Sequence, residues 1–295
     1  MTNEAVTHPG EKDPTPAADG LYENIPHATY LRWRAINHSA AKEMRRTPSH
    51  VQASLRRTIE GDTDDSPAKI LGTAAHVAML EPGRLDALVL EGPINPRTGK
   101  SFGVGTKAWD DCVACNPGRL VVGSEDLAKL RGMSAGIWAS TKARAILETP
   151  GMSEVAGIVT DPESGLRFKF RLDRIVPGVL GFDYKTTASA HWDDFRKDVA
   201  RYGYHTQLEW YRRWYKAITG DPLPFGLLVQ ETSDPWHARV FQLGERTEAM
   251  AAARVSEWVA QLRRCAIRNE WPGYGDEVEV IDVPDWALGE FVDGV

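Results

Sequence analysis

The order of helical and extended patterns along this 295-residue chain predicts an α/β fold with a central mixed sheet flanked by helices. The first half of the chain has mostly helical patterns, and a three-strand meander follows it. Strands on both sides of an intervening helix then indicate a single α/β domain. The predicted strands and later helices cover 154–160, 166–176, 179–185, 193–218 (helix), 225–231, 237–243 and 246–269 (helix).

The N-terminal part is predicted to be a tail followed by helices. Residues 1–20 are polar and rich in proline, glycine and small residues, which is typical of a disordered tail. Residues 21–295 are expected to form one domain with a helical N-terminal part. Its first helix is predicted to begin after Asn37 or Ser39 and to end before Pro48.

Capping residues predict the helices of the middle part. An acidic loop over 59–66 ends in Ser66-Pro67, an N-cap residue followed by proline at the first helical position. The next segment is mostly apolar and ends at Pro82, so we expect a buried helix there. Ser124 is placed to cap a long helix that precedes the meander.

The composition excludes several protein classes. No apolar run is long enough to span a bilayer, and no signal sequence is visible, so we expect a cytoplasmic protein without membrane contact. Three cysteines, an odd number, argue against a disulfide framework. Cys112 and Cys115 form a C-x-x-C pair, but with Cys265 they are too few for a structural zinc or iron–sulfur site. All three are interpreted as free thiols.

The charge pattern leaves the question of nucleic-acid binding open. The formal net charge of −6 weighs against a protein that coats DNA. Residues 31–58, however, contain seven lysines and arginines, Arg45 and Arg46 among them, against the single acid Glu43. Such a patch could contact phosphates, and a solvated helix face is an equally good interpretation.

Two predicted strands carry acids that could form a metal site. Side chains alternate along a strand, so Asp183 and Lys185 should share a face, and a hairpin turn at 177–178 would bring Asp173 beside them. Two carboxylates and an ammonium group in one place can bind a divalent metal ion and cut a phosphodiester with an activated water. A ladder of ion pairs across the strands is the alternative.

Other candidate residues are weaker when each is considered alone. His76 lies in the apolar predicted helix, where a hydrogen-bonded core histidine is the favoured interpretation unless a metal site lies opposite. Glu154 precedes the meander and is unremarkable by itself. Gln207 and Tyr211 share a helix face at i and i+4, and a buried glutamine needs polar partners.

Taken in chain order, these residues resemble the PD-(D/E)XK nuclease superfamily, and most of all its RecE-like branch, the exonuclease VIII type of phages and prophages. The resemblance implies a restriction-endonuclease-like core. The matching segments are 30–48, the G-x-x-x-H helix at 72–76, the Asp-Tyr-Lys strand at 183–185, the Y-H-x-Q helix at 204–207, and the C-terminal segments 271–274 and 284–287.

The resemblance implies a set of metal ligands. Asp173 and Asp183 would bind Mg²⁺ or Mn²⁺, and the Tyr184 carbonyl would be a further ligand. His76 would bind or flank a second ion. Glu154 matches an acidic position of the broader superfamily. The iron–sulfur members of the family have extra cysteines that this chain lacks, so no iron–sulfur cluster is expected.

The resemblance also implies catalytic roles. Lys185 would orient the attacking water or stabilise charge on the phosphate, and Gln207 and Tyr211 would line the site and contact the scissile strand. Magnesium keeps several of its waters, and one of them can be the nucleophile. Separately from the resemblance, the local excess of positive charge assigns phosphate contacts at the rim to Arg45 and Arg46.

The implied function is a metal-dependent exonuclease that digests linear double-stranded DNA from its 5′ ends. The 3′ tails would pass to a RecT-like annealing protein in phage-type recombination, within the cytoplasm of a bacterial host. A homo-oligomer is expected, because several members of the family form rings. The alternatives are an endonuclease or Cas4-like end trimmer of the same superfamily, and a non-catalytic DNA-binding protein of the same fold.

Overall fold

The computed structural model describes residues 13–61, 72, 74–76, 78–79 and 85–284. Eight strands are described in these ranges. They are β1 (Gly20–Tyr22), β2 (Val89–Glu91), β3 (Leu120–Val122), β4 (Met152–Thr160), β5 (Arg167–Val176), β6 (Leu180–Thr187), β7 (Phe225–Glu231) and β8 (Ala238–Gln242).

Six of these strands form the central sheet, in the order β1-β4-β5-β6-β7-β8, while β2 and β3 pair separately. All neighbouring pairs of the central sheet are antiparallel except β6–β7, which is parallel. Parallel neighbours need a long crossover connection, which two helices provide here. The predicted mixed sheet is therefore confirmed.

Helices flank this sheet. The described α-helices are α1 (His27–Leu31), α2 (His38–Ala41), α3 (Pro48–Glu60), α4 (Leu85–Leu88), α5 (Lys107–Cys115), α6 (Ser124–Ala139), α7 (Thr141–Glu148), α8 (Trp192–Tyr202), α9 (Tyr204–Thr219) and α10 (Glu245–Arg268). A 3₁₀ helix, Lys42–Arg45, links α2 to α3. No helix among the described residues combines the length and the apolar character that crossing a membrane requires.

The two faces of the sheet bury separate apolar cores. Leu227 and Val229 of β7 pack into one core with α9 and α10, whereas Leu228 packs into the other with α6. This alternation is what a strand buried on both faces requires. Ala74, Ala75, Ala78 and Met79 of the predicted buried helix belong to the second core, while Gly72 and His76 are half-buried.

Several element boundaries differ from the prediction. Pro48 begins α3, because proline is tolerated in the first turn of a helix, where its missing N–H is not needed. The helix extends to Glu60 and ends at Gly61 in a left-handed conformation (φ 78°). Residues 59 and 60, which were predicted to begin the acidic loop, therefore belong to the helix. Ser66-Pro67 and Pro82 lie outside the described residues.

Two helices that were predicted to be continuous are divided. Ser140 has an extended backbone between α6 and α7, and its side chain caps α7 by accepting a hydrogen bond from the Ala143 N–H. Gly203 (φ 77°) separates α8 from α9. Serine capping and left-handed glycine are both helix-ending signals.

The N-terminal segment packs on the sheet from residue 13 onward, so the predicted tail is too long at its C-terminal end. Asp19 accepts hydrogen bonds from the Thr160 N–H and hydroxyl, both at 2.8 Å. Asp13 forms an ion pair with Arg34 at 3.2 Å. These specific polar contacts fix a segment whose composition alone is typical of disorder. The rest of the predicted tail lies outside the described residues.

Candidate active site

The candidate site lies where β5 and β6 separate. These strands pair only through Arg174–Val176 on β5 and Leu180–Phe182 on β6. Immediately beyond, the Asp173 carboxylate enters the ladder and accepts the Tyr184 N–H through Oδ2 at 2.7 Å. A side chain therefore replaces a backbone acceptor at this point, and the opened ladder places acids from neighbouring strands together.

Three side chains converge beside this gap. One ligand atom each from His76, Glu154 and Asp173 lies within 4.8 Å of the other two. His76 Nδ1 is 3.6 Å from Asp173 Oδ1, and the imidazole edge packs on the Tyr184 ring at a centroid distance of 5.0 Å. His76 is thus at the site, although the residues around it on its helix are buried in the core.

Glu154 is held in an unusual backbone conformation within β4. Its φ of 56° is left-handed, which is uncommon for a residue other than glycine and is often found at functional sites. The Arg171 guanidinium binds its Oε2 at 2.5 Å. Burial, and then the charge of Asp173, raise the pKa of Glu154 above its ordinary value.

Asp183 lies on β6 next to this cluster, and its two oxygens have different neighbours. Oδ1 accepts the Tyr211 hydroxyl at 3.1 Å, and the same hydroxyl accepts the Gln207 amide at 2.7 Å. Oδ2 contacts the Lys185 ammonium. The predicted i, i+4 pair on α9 therefore reaches the site by orienting Asp183.

Lys185 completes this arrangement. Its ammonium also lies 4.8 Å from the centroid of the Tyr204 ring, a cation–π contact. Burial acts to lower the pKa of Lys185, but the carboxylates of Asp183 and Asp173 more than offset it and raise the pKa above its ordinary value. The two carboxylates therefore favour the charged form of Lys185.

The electrostatics of the acids fit a divalent cation. Burial, and then the neighbouring Asp183, raise the pKa of Asp173 well above its ordinary value, so a further positive charge would stabilise the ionised pair. Burial lowers the pKa of His76, so the imidazole is neutral and free to be a ligand. The carboxylates of Glu154 and Asp173 and the neutral imidazole of His76 form a donor set that suits Mn²⁺ and tolerates Mg²⁺.

The two arginines assigned to phosphate contacts have different surroundings. Both are exposed at the end of the 3₁₀ helix. Arg46 is held by Glu43 at 3.4 Å, and a hydrogen bond with Tyr274 is the main reason that its pKa is raised. The positive charge of Arg45 instead acts on Lys42, which lies toward the candidate site.

Three further residues support the site, although the sequence analysis does not assign them to it. Arg171 binds Glu154, the Tyr204 ring packs against the Lys185 ammonium, and Lys42 adds a cation nearby. Arg171 lies two residues before Asp173 and so shares its face of β5. Lys42 belongs to the basic segment 31–58. Each of these two positions is therefore a weak indication of a role at the site. Cys112, Cys115 and Cys265 are free thiols, as interpreted from their number.

Comparison with known proteins identifies the type of domain. Residues 37–284 match the family model described as a PDDEXK-like domain of unknown function, DUF3799. No curated protein matches the chain. A solved structure of a candidate exonuclease from Eubacterium rectale is similar, with a TM-score of 0.57 and 17% sequence identity. The alignment covers 92% of this chain and 97% of that one, and at this identity it shows a shared fold.

Proposed function

The chain belongs to the DUF3799 family of PDDEXK-like domains, and we propose that it is a divalent-metal-dependent DNA exonuclease. The observation that carries the proposal is the convergence of His76, Glu154 and Asp173 beside the Asp183–Lys185 contact. Acids from three neighbouring strands meet the half-buried ammonium of Lys185 at one break in the sheet. This arrangement serves a reaction in which negative charge develops on a phosphate.

The side chains have distinct roles in this proposal. Asp173 and Asp183, with the Tyr184 carbonyl, would hold one ion, and His76 and Glu154 would hold or flank a second. When bound, such ions lower the pKa of a coordinated water and neutralise charge on the phosphate. Mg²⁺ and Mn²⁺ both fit these donors, and the imidazole favours Mn²⁺.

Lys185 is the proposed catalytic cation. Its ammonium would orient the attacking water or stabilise the phosphate as its charge grows. The contact with the Asp183 carboxylate favours the charged form of Lys185, which suits this role. Tyr211 and Gln207 would hold Asp183 in the orientation that binding requires, and they could also contact the scissile strand.

The biological setting follows the RecE-like resemblance. We place the enzyme on linear double-stranded DNA, which it would digest 5′ to 3′ to leave 3′ single-stranded tails. A RecT-like annealing protein would receive those tails in phage-type recombination. The enzyme would act as a homo-oligomer in the cytoplasm of a host bacterium, encoded by a phage or prophage.

Digestion of end-labelled linear duplex and of closed circular duplex tests the activity. With Mg²⁺ or Mn²⁺, the linear DNA should be degraded and the closed circle spared, and 5′ and 3′ labels report the polarity. Asp183→Ala and Lys185→Ala should abolish cleavage, while Asp193→Ala, at an acid of α8 that pairs with Arg196, should not. Cleavage of the circle would identify an endonuclease instead, and inactivity on both would favour a non-catalytic DNA-binding protein.

A further inference from the structure

A column of aromatic rings extends from the core to the surface where α8 ends and α9 begins. The buried Phe195 stacks on Phe241 with 5.2 Å between ring centroids. Tyr204 stacks on Phe195 at 6.1 Å, and Tyr202 stacks on Tyr204 at 5.6 Å, with 28° between the planes in each case. Tyr202 is the outermost ring and is 45% exposed. The column therefore ends in an aromatic side chain at the surface.

Three cations from three elements lie beside the outer two residues of this column. The Lys42 ammonium of the 3₁₀ helix donates to the Tyr202 carbonyl at 3.2 Å. The Arg201 guanidinium lies 5.5 Å from the centroid of the Tyr202 ring. Lys185 lies 4.8 Å from the centroid of the Tyr204 ring. The rings thus connect an exposed surface to the catalytic cation of the proposed nuclease.

Core packing accounts for the inner rings but not for this outer end. Burial lowers the pKa of Lys42, and the positive charges of Arg45 and Lys185 lower it further, while Glu43 offsets part of this effect. Within the described part of the chain, the Lys42 ammonium has a carbonyl acceptor and no ion-pair partner. A cation kept in this position suits an anionic ligand that arrives from solution.

We propose that the Tyr202 ring is a stacking platform for an unpaired base of the DNA strand entering the site, and that Lys42 contacts a neighbouring phosphate. This rests on the proposed nuclease function and specifies the substrate as a DNA end with unpaired nucleotides. Exposed aromatic rings beside a positive groove bind single strands in this way, without reading their sequence.

The stacking geometry selects an unpaired base. Inside a duplex, each base is covered on both faces by its neighbours, so a protein ring can stack only on a terminal or separated base. Arg201 is exposed, and its guanidinium can move from the ring to the adjacent phosphate when a base takes its place. The platform therefore binds a frayed or single-stranded end more tightly than a blunt one.

Binding without cleavage isolates this surface. Fluorescence anisotropy in EDTA measures the affinity of the full chain for a hairpin duplex with a short single-stranded tail and for a blunt one. A fluorescent base analogue, 2-aminopurine, at the end of the tail reports stacking by quenching. The variants are Tyr202→Ala, Tyr202→Trp and Lys42→Met. Trp192→Ala is the matched control, because Trp192 is also exposed on α8 and also carries an arginine, Arg196, at 4.5 Å.

Tyr202→Ala should weaken binding of the tailed DNA by about 5- to 150-fold and remove the quenching, as expected for one lost stacking contact. Tyr202→Trp should retain both, Lys42→Met should weaken binding while quenching remains, and Trp192→Ala should leave both unchanged. Wild-type affinity and quenching in Tyr202→Ala would overturn the proposal, even if the chain cleaves DNA. If Tyr202→Ala loses these signals and the wild type shows them but cleaves no DNA, the platform stands and only the nuclease function is refuted.

Discussion

The Tyr211 hydroxyl donates a hydrogen bond to Asp183 Oδ1 at 3.1 Å and links helix α9 directly to the acid on β6. Gln207, one turn earlier, donates to that same hydroxyl and fixes the direction of its proton. Burial and the charge of Asp183 raise the pKa of Tyr211, so it stays a donor. A hydrogen-bond donor behind a metal-binding carboxylate orients that carboxylate and tunes its basicity.

Tyr211→Phe should therefore weaken metal binding while leaving the fold largely unchanged. Loss of the hydroxyl frees Asp183 to rotate, and the Mg²⁺ concentration for half-maximal cleavage should rise by about 10- to 100-fold. Tyr215→Phe is the control, because Tyr215 is a buried tyrosine on the same helix that packs on Phe225. A metal titration of both variants decides the matter, and identical titration curves would remove Tyr211 from the site.

Lys185→Met should stop chemistry while leaving DNA bound. Methionine keeps much of the length of the side chain but removes the charge that would stabilise the phosphate, so the cleavage rate should fall by about 10²- to 10³-fold. Affinity for DNA, measured by anisotropy in EDTA, should change far less. Lys197→Met, at an exposed lysine paired with Asp194 on α8, is the control. Equal losses of affinity and rate would show that Lys185 only binds substrate.

Asp173→Asn should make the metal-free protein more stable at pH 8. Burial and Asp183 raise the pKa of Asp173 above its ordinary 3.8, so the folded protein loses stability as pH rises from about that value, and the loss is complete above the raised pKa. Asparagine does not ionise, and it keeps an acceptor for the Tyr184 N–H.

Thermal unfolding in EDTA should give a higher Tm for Asp173→Asn than for the wild type at pH 8, and a smaller difference near pH 4. Added Mn²⁺ should raise the Tm of the wild type and not that of the variant, because a ligand that binds only the folded state stabilises it. Asp193→Asn, at an exposed acid paired with Arg196, is the control. A lower Tm for Asp173→Asn at pH 8 would mean that Asp173 has a purely structural role.

The sequence predicts the strands of this site better than their geometry. Alternation along β6 places Asp183 and Lys185 on one face, and the structure brings them into contact. The entry of Asp173 into the β5–β6 ladder is not a property of either strand alone, because it depends on where the two strands stop pairing. Local patterns contain no information about that point.

Long-range packing explains the remaining differences. His76 is ambiguous on its own helix, since only the approach of β5 brings Asp173 to 3.6 Å from its ring. The left-handed φ of Glu154 could not be predicted, because glycine and asparagine are the residues that usually adopt it. Lys169 alternates with aromatic residues on β5 as a solvent-facing lysine would, yet it is fully buried, because the N-terminal segment covers that face.

Arg45 should contribute more to DNA binding than Arg46. Arg46 is already held by Glu43 and Tyr274, whereas the charge of Arg45 acts toward Lys42 and the site. Arg45→Ala should weaken DNA binding and reduce the slope of log K against log[salt] by about 0.9, the value for one phosphate contact. Arg46→Ala should reduce it less, and the double variant should combine both effects. Unchanged slopes in all three would place the DNA elsewhere, with Arg212 and Arg213 as the next candidates.

Lys169→Met should destabilise the fold, and the effect should grow with pH. The Lys169 ammonium donates to the carbonyls of Tyr30, Leu31 and Trp33 at 2.8–3.0 Å, and methionine leaves all three acceptors without it. Each buried, unsatisfied polar group costs about 1–3 kcal/mol, so we expect a loss of roughly 3 kcal/mol or more.

The pH dependence follows from the lowered pKa of that lysine. Burial lowers the pKa of Lys169 from 10.5 to about 7, so the folded wild type gains stability as pH rises from about 7 toward 10.5, where the unfolded chain still binds the proton. Methionine has no such gain, and urea unfolding should show a larger deficit for Lys169→Met at pH 9 than at pH 6.5. Lys129→Met, at a surface lysine paired with Asp126, should show neither effect.

The same variant should also weaken the metal site. The segment held by Lys169 includes Tyr30, whose ring lies under the Arg171 guanidinium at 6.0 Å, and Arg171 in turn holds Glu154. Release of the segment frees Arg171 and with it Glu154. The rise in Tm that Mn²⁺ produces should therefore be smaller in Lys169→Met than in the wild type. A variant that loses stability but keeps the full Mn²⁺ response would show that Arg171 positions Glu154 without help from the N-terminal segment.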